Sequence, residues 1–259
     1  MVAFFYPPMP KNYCLHLIQD WMGELRWRLF PRKVTSGEID YLDTHFSYYH
    51  RLKPHHRKEF VKKLERILST KKFLPAGGLE EVAPEMEVLI GATITMVTFG
   101  WKRLKLAHFH TILIYPNAYF SSVNKVYHRG EVNPKFGLIV VSWRCFAEGL
   151  ADENDGINLG IHEVAHALKL ANQIDTDGEK EFDPRALEAY RKLVPLEMEK
   201  IRQGETSIFR ASAALNEHEF FAVALETFFE RTLELKSYNS EFYQSLVLLL
   251  RQDPLVLLK

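Results

Sequence analysis

The sequence predicts an α+β fold, rich in helix and carrying one small sheet, and three observations predict it. Several stretches of roughly ten to twenty residues repeat apolar positions at helical spacing. Only two short runs, Thr111 to Tyr115 and Phe136 to Ser142, have the β-branched composition of strands. No internal repeat, low-complexity tract or convincing linker divides the 259 residues. One compact unit is therefore expected, with residues 1–50 as an N-terminal helical segment packed on a core of residues 51–259.

The elements follow in chain order. Residues 12–30 and 36–52 carry helix-like patterns interrupted near Pro31. Pro54 to about Ser69 reads as a helix, because Phe60, Leu64, Ile67 and Leu68 fall on one face with charges on the other. Pro84 suits the first turn of a helix that runs to about Phe99 and is ended by Gly100. The strand Thr111 to Tyr115 stops at Pro116, and the polar, turn-rich stretch 117–135 separates it from the second strand. Asp155 or Asn158 can cap a helix whose Ile161, Val164, Ala165 and Leu168 make a buried face. Asp183 with Pro184 is a cap followed by a first-turn proline; that helix runs to Gln203, stops at Gly204 and has Pro195 as a candidate kink. Asn216 opens a helix to about Arg231, and Ser240 opens the last one, which ends before Pro254.

Lys plus Arg and Asp plus Glu are equal at 33 each, so the formal net charge is zero. That argues against direct nucleic-acid binding, which favours a basic chain, and against an acidic disordered solubiliser. Hydrophobic residues at 47% supply a sizeable core. Cys14 and Cys145 are too few for a disulfide framework or a four-cysteine zinc site, and they fit a reducing, cytoplasmic location. No run reaches the roughly 18 apolar residues of a membrane span. Met1 to Pro10 is apolar and proline-rich but lacks the basic start, long apolar centre and cleavage site of a signal peptide. The zero charge is itself a cancellation. Residues 51–72 hold nine Lys or Arg against two acids, and residues 146–188 hold eleven acids against three basic residues. The basic helix reads as a solvated face or as a docking face for an acidic partner.

The acidic segment contains His162-Glu163-Val164-Ala165-His166, an H-E-x-x-H motif. On a helix, residues four apart share a face, so both imidazoles can hold one Zn2+. Glu163 lies beside the first histidine, where a carboxylate can serve as general base toward a metal-activated water. A catalytic zinc takes a third protein ligand and keeps an open position. No histidine follows at short spacing, so a downstream carboxylate is the default. Glu219, Glu226 and His218 all lie in the helix opened by Asn216 and stand as alternatives. Glu219 has a competing reading, since three residues after Asn216 it could complete a capping box.

Gly156 to His166 resembles the zinc-binding segment of the Mlc titration factor A family of zinc metallopeptidases. Further similarities run in family order: Tyr115-Pro116, Gly130-Glu131, Gly137 to Trp143, Glu219 to Val223, Glu226 to Phe229 and Gln252 to Pro254. The resemblance implies a zincin-like, gluzincin-type core related to the catalytic domain of anthrax lethal factor. It implies Glu219 as the third metal ligand and Glu226 as a support for a ligating histidine. It implies the strand Gly137 to Ser142 as the edge beside the site, where an extended peptide can pair, against the plainer reading of a core strand. Two departures from the family pattern stand out. The family tyrosine seven residues before the third ligand, placed to stabilise an oxyanion, is Ser212 here, which leaves His218, Tyr190 or Arg210 to substitute. The Leu-Asp that commonly follows the zinc motif is Leu168-Lys169.

Two functions are expected from this. One is a zinc peptidase, aminopeptidase-like as in some family members, acting on a peptide or protein substrate. The other is a weakly active regulatory protein that sequesters a protein partner such as a transcriptional repressor, as the family name implies.

Overall fold

A computed structural model describes residues 13–102, 106–121, 126–174 and 182–259. The readings of Met1 to Pro10, of the helix start at residue 12 and of the acidic residues within 175–181 lie outside the described residues.

The N-terminal helices are α1 (Tyr13–Leu29), α2 (Ser36–His45) and α3 (Ser47–Arg51), and they lead into the basic helix α4 (Pro54–Thr70). Thr35 and Glu38 form a reciprocal capping box that starts α2. Phe46 ends α2, so the pattern over 36–52 resolves into two helices rather than one. Leu42, Phe46, Tyr48 and Tyr49 are buried in the same core as Phe60 and Leu64 of α4.

Next come β1 (Lys72–Pro75) and α5 (Pro84–Val97). Gly100 does not end α5 by a left-handed turn; Thr98 is its C-cap. What requires glycine there is close approach: a Cβ would lie 2.6 Å from the Arg251 carbonyl carbon and closer still to the Leu250 and Arg251 carbonyl oxygens. Gln252, in the same turn and buried, donates to the Met96 and Val97 carbonyls at 3.0 and 3.1 Å and accepts from Tyr48 Oη at 3.1 Å. One side chain thus caps the end of α5 and joins it to α3.

The sheet is built from β1, β2 (Thr111–Tyr115), β5 (Gly130–Asn133) and β6 (Leu138–Ser142), in the order β1-β2-β6-β5. The first three strands are parallel, and β5 adds antiparallel to β6, giving the small mixed sheet expected. Strand β6 pairs on both sides, so it is an interior strand and not the edge beside the site; the edge is β5. That stretch escaped detection because Gly130 to Asn133 has neither apolar alternation nor β-branched enrichment. The hairpin β3 (Tyr119–Ser121) and β4 (Val126–His128) forms a second, two-stranded sheet.

In the β2–β6 register Ile112 faces Ile139 and Ile114 faces Val141, all four fully or almost fully buried. Neighbours in a parallel pair share a face, so these four present an apolar floor. Helix α7 (Leu159–Ile174), reached through α6 (Trp143–Ala151), lies on that floor beside α5. Asn158 caps α7, its Oδ1 accepting from the Ile161 amide at 3.0 Å, while Asp155 accepts only from Ile157.

Helix α8 (Pro184–Arg202) starts at Asp183, whose side chain accepts from the Arg185 and Ala186 amides, and it continues through Pro195. A 3₁₀ turn (Ala211–Ala214) precedes α9 (Glu217–Glu230). Every residue from Phe220 to Phe229 is buried, so α9 is the central helix and packs along α7. Helices α10 (Thr232–Tyr238), α11 (Ser240–Leu250) and α12 (Pro254–Leu257) close the fold. Among the described residues, no helix is long and apolar enough to cross a membrane.

Replacing Gln252 by Leu strands two buried carbonyls and the Tyr48 hydroxyl. The expected loss is about 1–3 kcal/mol, read as a lower urea midpoint with an unchanged slope.

Candidate metal centre

The α7 sequence places His162 and His166 one turn apart on the face toward α9, with Glu163 turned toward the sheet. Asn216 starts α9 by accepting from the His218 and Glu219 amides at 2.9 and 3.0 Å. The carboxylate of Glu219 does not return to Asn216, so no capping box forms; it faces the two histidines instead. His166 Nε2 is 3.3 Å from Glu219 Oε1, His162 Nε2 is 3.5 Å from Glu219 Oε2, and the two Nε2 atoms are 3.0 Å apart. Ligands roughly 2.0–2.1 Å from a tetrahedral ion are about 3.3 Å from each other. The three observed edges bracket that value, and two nitrogens plus a carboxylate suit zinc. These side chains are 17%, 17% and 20% exposed, enough for the group to be reached from solvent.

The far side of His162 is closed. Its Nδ1 donates to Glu226 Oε1 at 2.5 Å, which puts the ring proton on Nδ1 and directs the Nε2 lone pair at His166 and Glu219. Glu226 is wholly buried. It also accepts from Arg210 Nη1 and Nη2 at 2.5 and 2.8 Å and from the Asn158 amide at 3.2 Å. Burial opposes its charge, but the bonds from His162 and Arg210 outweigh it and hold the carboxyl below its ordinary range. Burial likewise opposes the charged form of His162, yet the bond to Glu226 and the surrounding carboxylates raise its pKa.

Glu163 has the opposite environment. It is 5% exposed and borders an apolar pocket with Ile90, Ile94, Ile139 and Val141. Burial pushes its carboxyl up, against the lowering effect of His162 and His166. Gly130, the first residue of edge strand β5, packs on it: a Cβ there would lie 2.5 Å from the Glu163 carboxyl carbon and 2.6 Å from its Cγ. Beside this edge, Tyr119 stacks on Tyr115 and donates to Glu131 Oε2 at 3.1 Å.

The remaining sequence candidates fall around this centre. Glu226 stands behind His162 and does not join the group of His162, His166 and Glu219. Ser212 lies in the 3₁₀ turn and accepts from Arg210 Nε at 3.0 Å. Arg210 is fully engaged, with Nη1 also donating to the Gly156 carbonyl at 2.6 Å, so it cannot turn outward. Tyr190 is buried against Phe221 and Phe242. His218 is half-buried next to Glu219, and burial together with the nearby Lys169 charge pushes its imidazole down to about 4. Lys169 itself has a role that the sequence did not disclose. Its Nζ donates to the Glu217 carbonyl at 2.6 Å, fastening α7 to the first turn of α9, and burial lowers it to about 8. Arg210 as partner of Glu226 also escaped the sequence, because sixteen residues and a 3₁₀ turn separate them and no local periodicity links them.

Asn158 binds the outer end of α9. Its Nδ2 donates to the Gly149 carbonyl and to Glu230 Oε1, both at 3.0 Å. Burial raises the Glu230 carboxyl to about 8, and its Oε2 has no partner. A carboxyl raised in the folded state binds its proton more tightly there, so its contribution to stability is present below about pH 4.5 and is lost by about pH 8. Glu230→Gln keeps the Asn158 bond and removes the titration. Thermal unfolding of the native chain is expected to fall relative to this variant between about pH 5 and about pH 9; parallel curves would contradict it.

Among proteins of known sequence, the chain is 24% identical over 251 residues to an uncharacterized protein of Synechocystis sp., covering 91% of each. It is 26% identical over 219 residues to proteins named Mlc titration factor A from Yersinia pestis and Yersinia pseudotuberculosis, covering 78% of this chain and 80% of theirs. The family described as glucose-regulated metallo-peptidase M90 matches residues 22–251, which takes in His162, Glu163, His166, Arg210, Glu219 and Glu226. The chain belongs to that metallopeptidase family.

Proposed function

We propose that this chain is a zinc-dependent peptidase with a zincin-like core in residues 51–259, in which His162, His166 and Glu219 hold the metal and Glu163 is the general base. The observation that carries the reading is the convergence of two imidazole nitrogens and one carboxylate within 4.8 Å of one another, beside a buried carboxyl on the same helix. When bound, zinc supplies Lewis acidity, polarising a carbonyl and lowering the pKa of water to about 7.

The protein's own groups supply the rest. Glu163 takes a proton from the attacking water and hands it to the departing amine. Its apolar surroundings make it a stronger base than an exposed carboxylate. Glu226 keeps His162 in one tautomer and one orientation, and Arg210 keeps Glu226 ionised. Among the described residues strand β5 is the edge of the sheet, on which an extended peptide can align. Gly130 keeps that edge close to Glu163 because it carries no side chain. Of the three groups that could replace the family tyrosine, Arg210 is engaged and Tyr190 is enclosed, while His218 stands half-buried beside Glu219. The carboxylates of Glu131, Glu163 and Glu219 favour a cationic substrate group, which suits an N-terminal amine and aminopeptidase-like action. A reducing, cytoplasmic setting fits the free thiol of Cys145.

A second reading has its own support. Ser212 accepts from Arg210 and is shorter than the tyrosine of the family pattern, and the Yersinia relatives bear the name Mlc titration factor A. A slow enzyme that captures a regulatory protein would fit both facts.

Glu163→Gln is expected to abolish peptide turnover while zinc content, measured by elemental analysis, stays at the native level. Full turnover in that variant would overturn the mechanism, and partner capture without turnover in the native chain would favour the second reading. Gly130→Ala is expected to lower turnover by on the order of tenfold to 100-fold, with zinc retained, because its methyl displaces the Glu163 side chain. Unchanged kinetics would show that Glu163 tolerates the shift.

A further inference from the structure

Five of the large apolar side chains exposed on this protein fall within ten residues: Trp21, Met22, Leu25, Leu29 and Phe30, at 65%, 56%, 39%, 59% and 77% exposure. Single exposed apolar residues need no explanation, but a contiguous group marks an interaction surface. The first four lie on α1. At 100° per residue, Trp21, Leu25, Leu29 and Met22 fill one face about 100° wide. Gly23, Glu24 and Trp27 lie on the opposite face. That face is held: Gly23 packs against Thr70 of α4, and Glu24 accepts from Arg66 Nε at 3.1 Å. The apolar face is therefore turned outward by the same contacts that dock α1.

Charge identifies what the face meets. Arg26 and Arg28 fall on the two borders of the apolar stripe, and both are exposed. On α4, Lys58, Lys62 and Arg66 are one turn apart along a single line, and Arg66 is the residue bonded to α1. Lys58 and Lys62 are exposed and lie on the same line of α4 as Arg66. An apolar stripe containing tryptophan, bordered by arginines and backed by a basic helix, matches an anionic lipid interface. Apolar groups enter the acyl boundary and the cations remain at the phosphates. A symmetric pairing of two copies through this face would instead set Arg26, Arg28 and the α4 lysines against their own counterparts. We propose that α1, with the basic line of α4, docks this protein on the surface of an anionic phospholipid membrane, α1 lying in the interface plane.

Co-sedimentation of the full chain with vesicles tests this. Binding is expected to phosphatidylcholine vesicles that contain phosphatidylglycerol, weak binding to phosphatidylcholine alone, and loss of binding as salt is raised. The double substitution Leu25→Asp with Leu29→Asp is expected to weaken binding by about tenfold or more, with unchanged circular dichroism and zinc content. Arg26→Glu with Arg28→Glu, which leaves the apolar face intact, is expected to weaken binding to the anionic vesicles only. No binding to the anionic vesicles, or binding that survives both pairs of substitutions, would overturn the proposal. So would self-association by light scattering that the aspartate pair abolishes in a chain that ignores vesicles, since the face would then belong to a second copy.

Discussion

A carboxylate inside the central helix sets the terms for the rest of the structure. Helix α9 is buried from Phe220 to Phe229, and Glu226 lies in the middle of that run with no exposure. Leaving such a charge unpaired costs several kcal/mol, so the fold must bring partners to it. It brings three from two segments: His162 of α7 and the amide of Asn158, which caps the same helix, and Arg210 from the 3₁₀ region. Each segment that satisfies Glu226 is thereby fixed relative to α9. The geometry of the group formed by His162, His166 and Glu219 follows from that fixing. His162 can point Nε2 at His166 and Glu219 only because its Nδ1 is committed to Glu226.

The two buried glutamates near the site show how partners decide chemistry. Glu163 and Glu226 have almost the same exposure, yet their carboxyls shift in opposite directions. Glu226 accepts from a guanidinium and an imidazole, which favours the ionised form. Glu163 borders Ile139, Val141 and Ile94, which favours the neutral form. Divergence of this kind separates an anchoring carboxylate from one suited to move a proton. The sheet is part of that division, since β2 and β6 provide the apolar floor and Gly130 on β5 closes the remaining side.

How much of this the sequence disclosed depends on the range of the interactions. Periodicity and caps are local, so α4, α9 and the starts at Asp183 and Asn216 were legible, as was β2 to the residue, and the start of α7 was narrowed to Asp155 or Asn158. The H-E-x-x-H spacing was legible because both histidines lie on one helix. The third group, Glu219, could be narrowed only to three candidates by spacing, since the approach of α9 to α7 is a tertiary event. Strand β5 carried no signal, because its residues are specified by what they touch, whereas helix α6 was hidden because its cap, Ser142, also closes the β-rich run before it. The edge role went to β5 rather than β6 for the same reason: an apolar run marks a strand as buried, not as terminal. Gln252 was visible as part of a pattern, but its function as a cap for α5 required the contact of segments 156 residues apart.

The two departures from the family pattern become related once the contacts are known. Lys169 stands where an acid is usual, and it binds the Glu217 carbonyl at the first turn of α9. Arg210 and Ser212 occupy the stretch where a tyrosine is usual, and Arg210 binds Glu226 two turns further along the same helix. Both cations therefore fasten α9, and the points they bind, Glu217 and Glu226, lie on either side of Glu219 in sequence. A metal site needs its donors held to within a few tenths of an ångström of a fixed polyhedron. Two attachments along one helix resist rotation about its axis and sliding along it, whereas one attachment resists only one of these. In this chain the residues that differ from the family pattern thus act on the placement of Glu219 without belonging to the group it forms with His162 and His166.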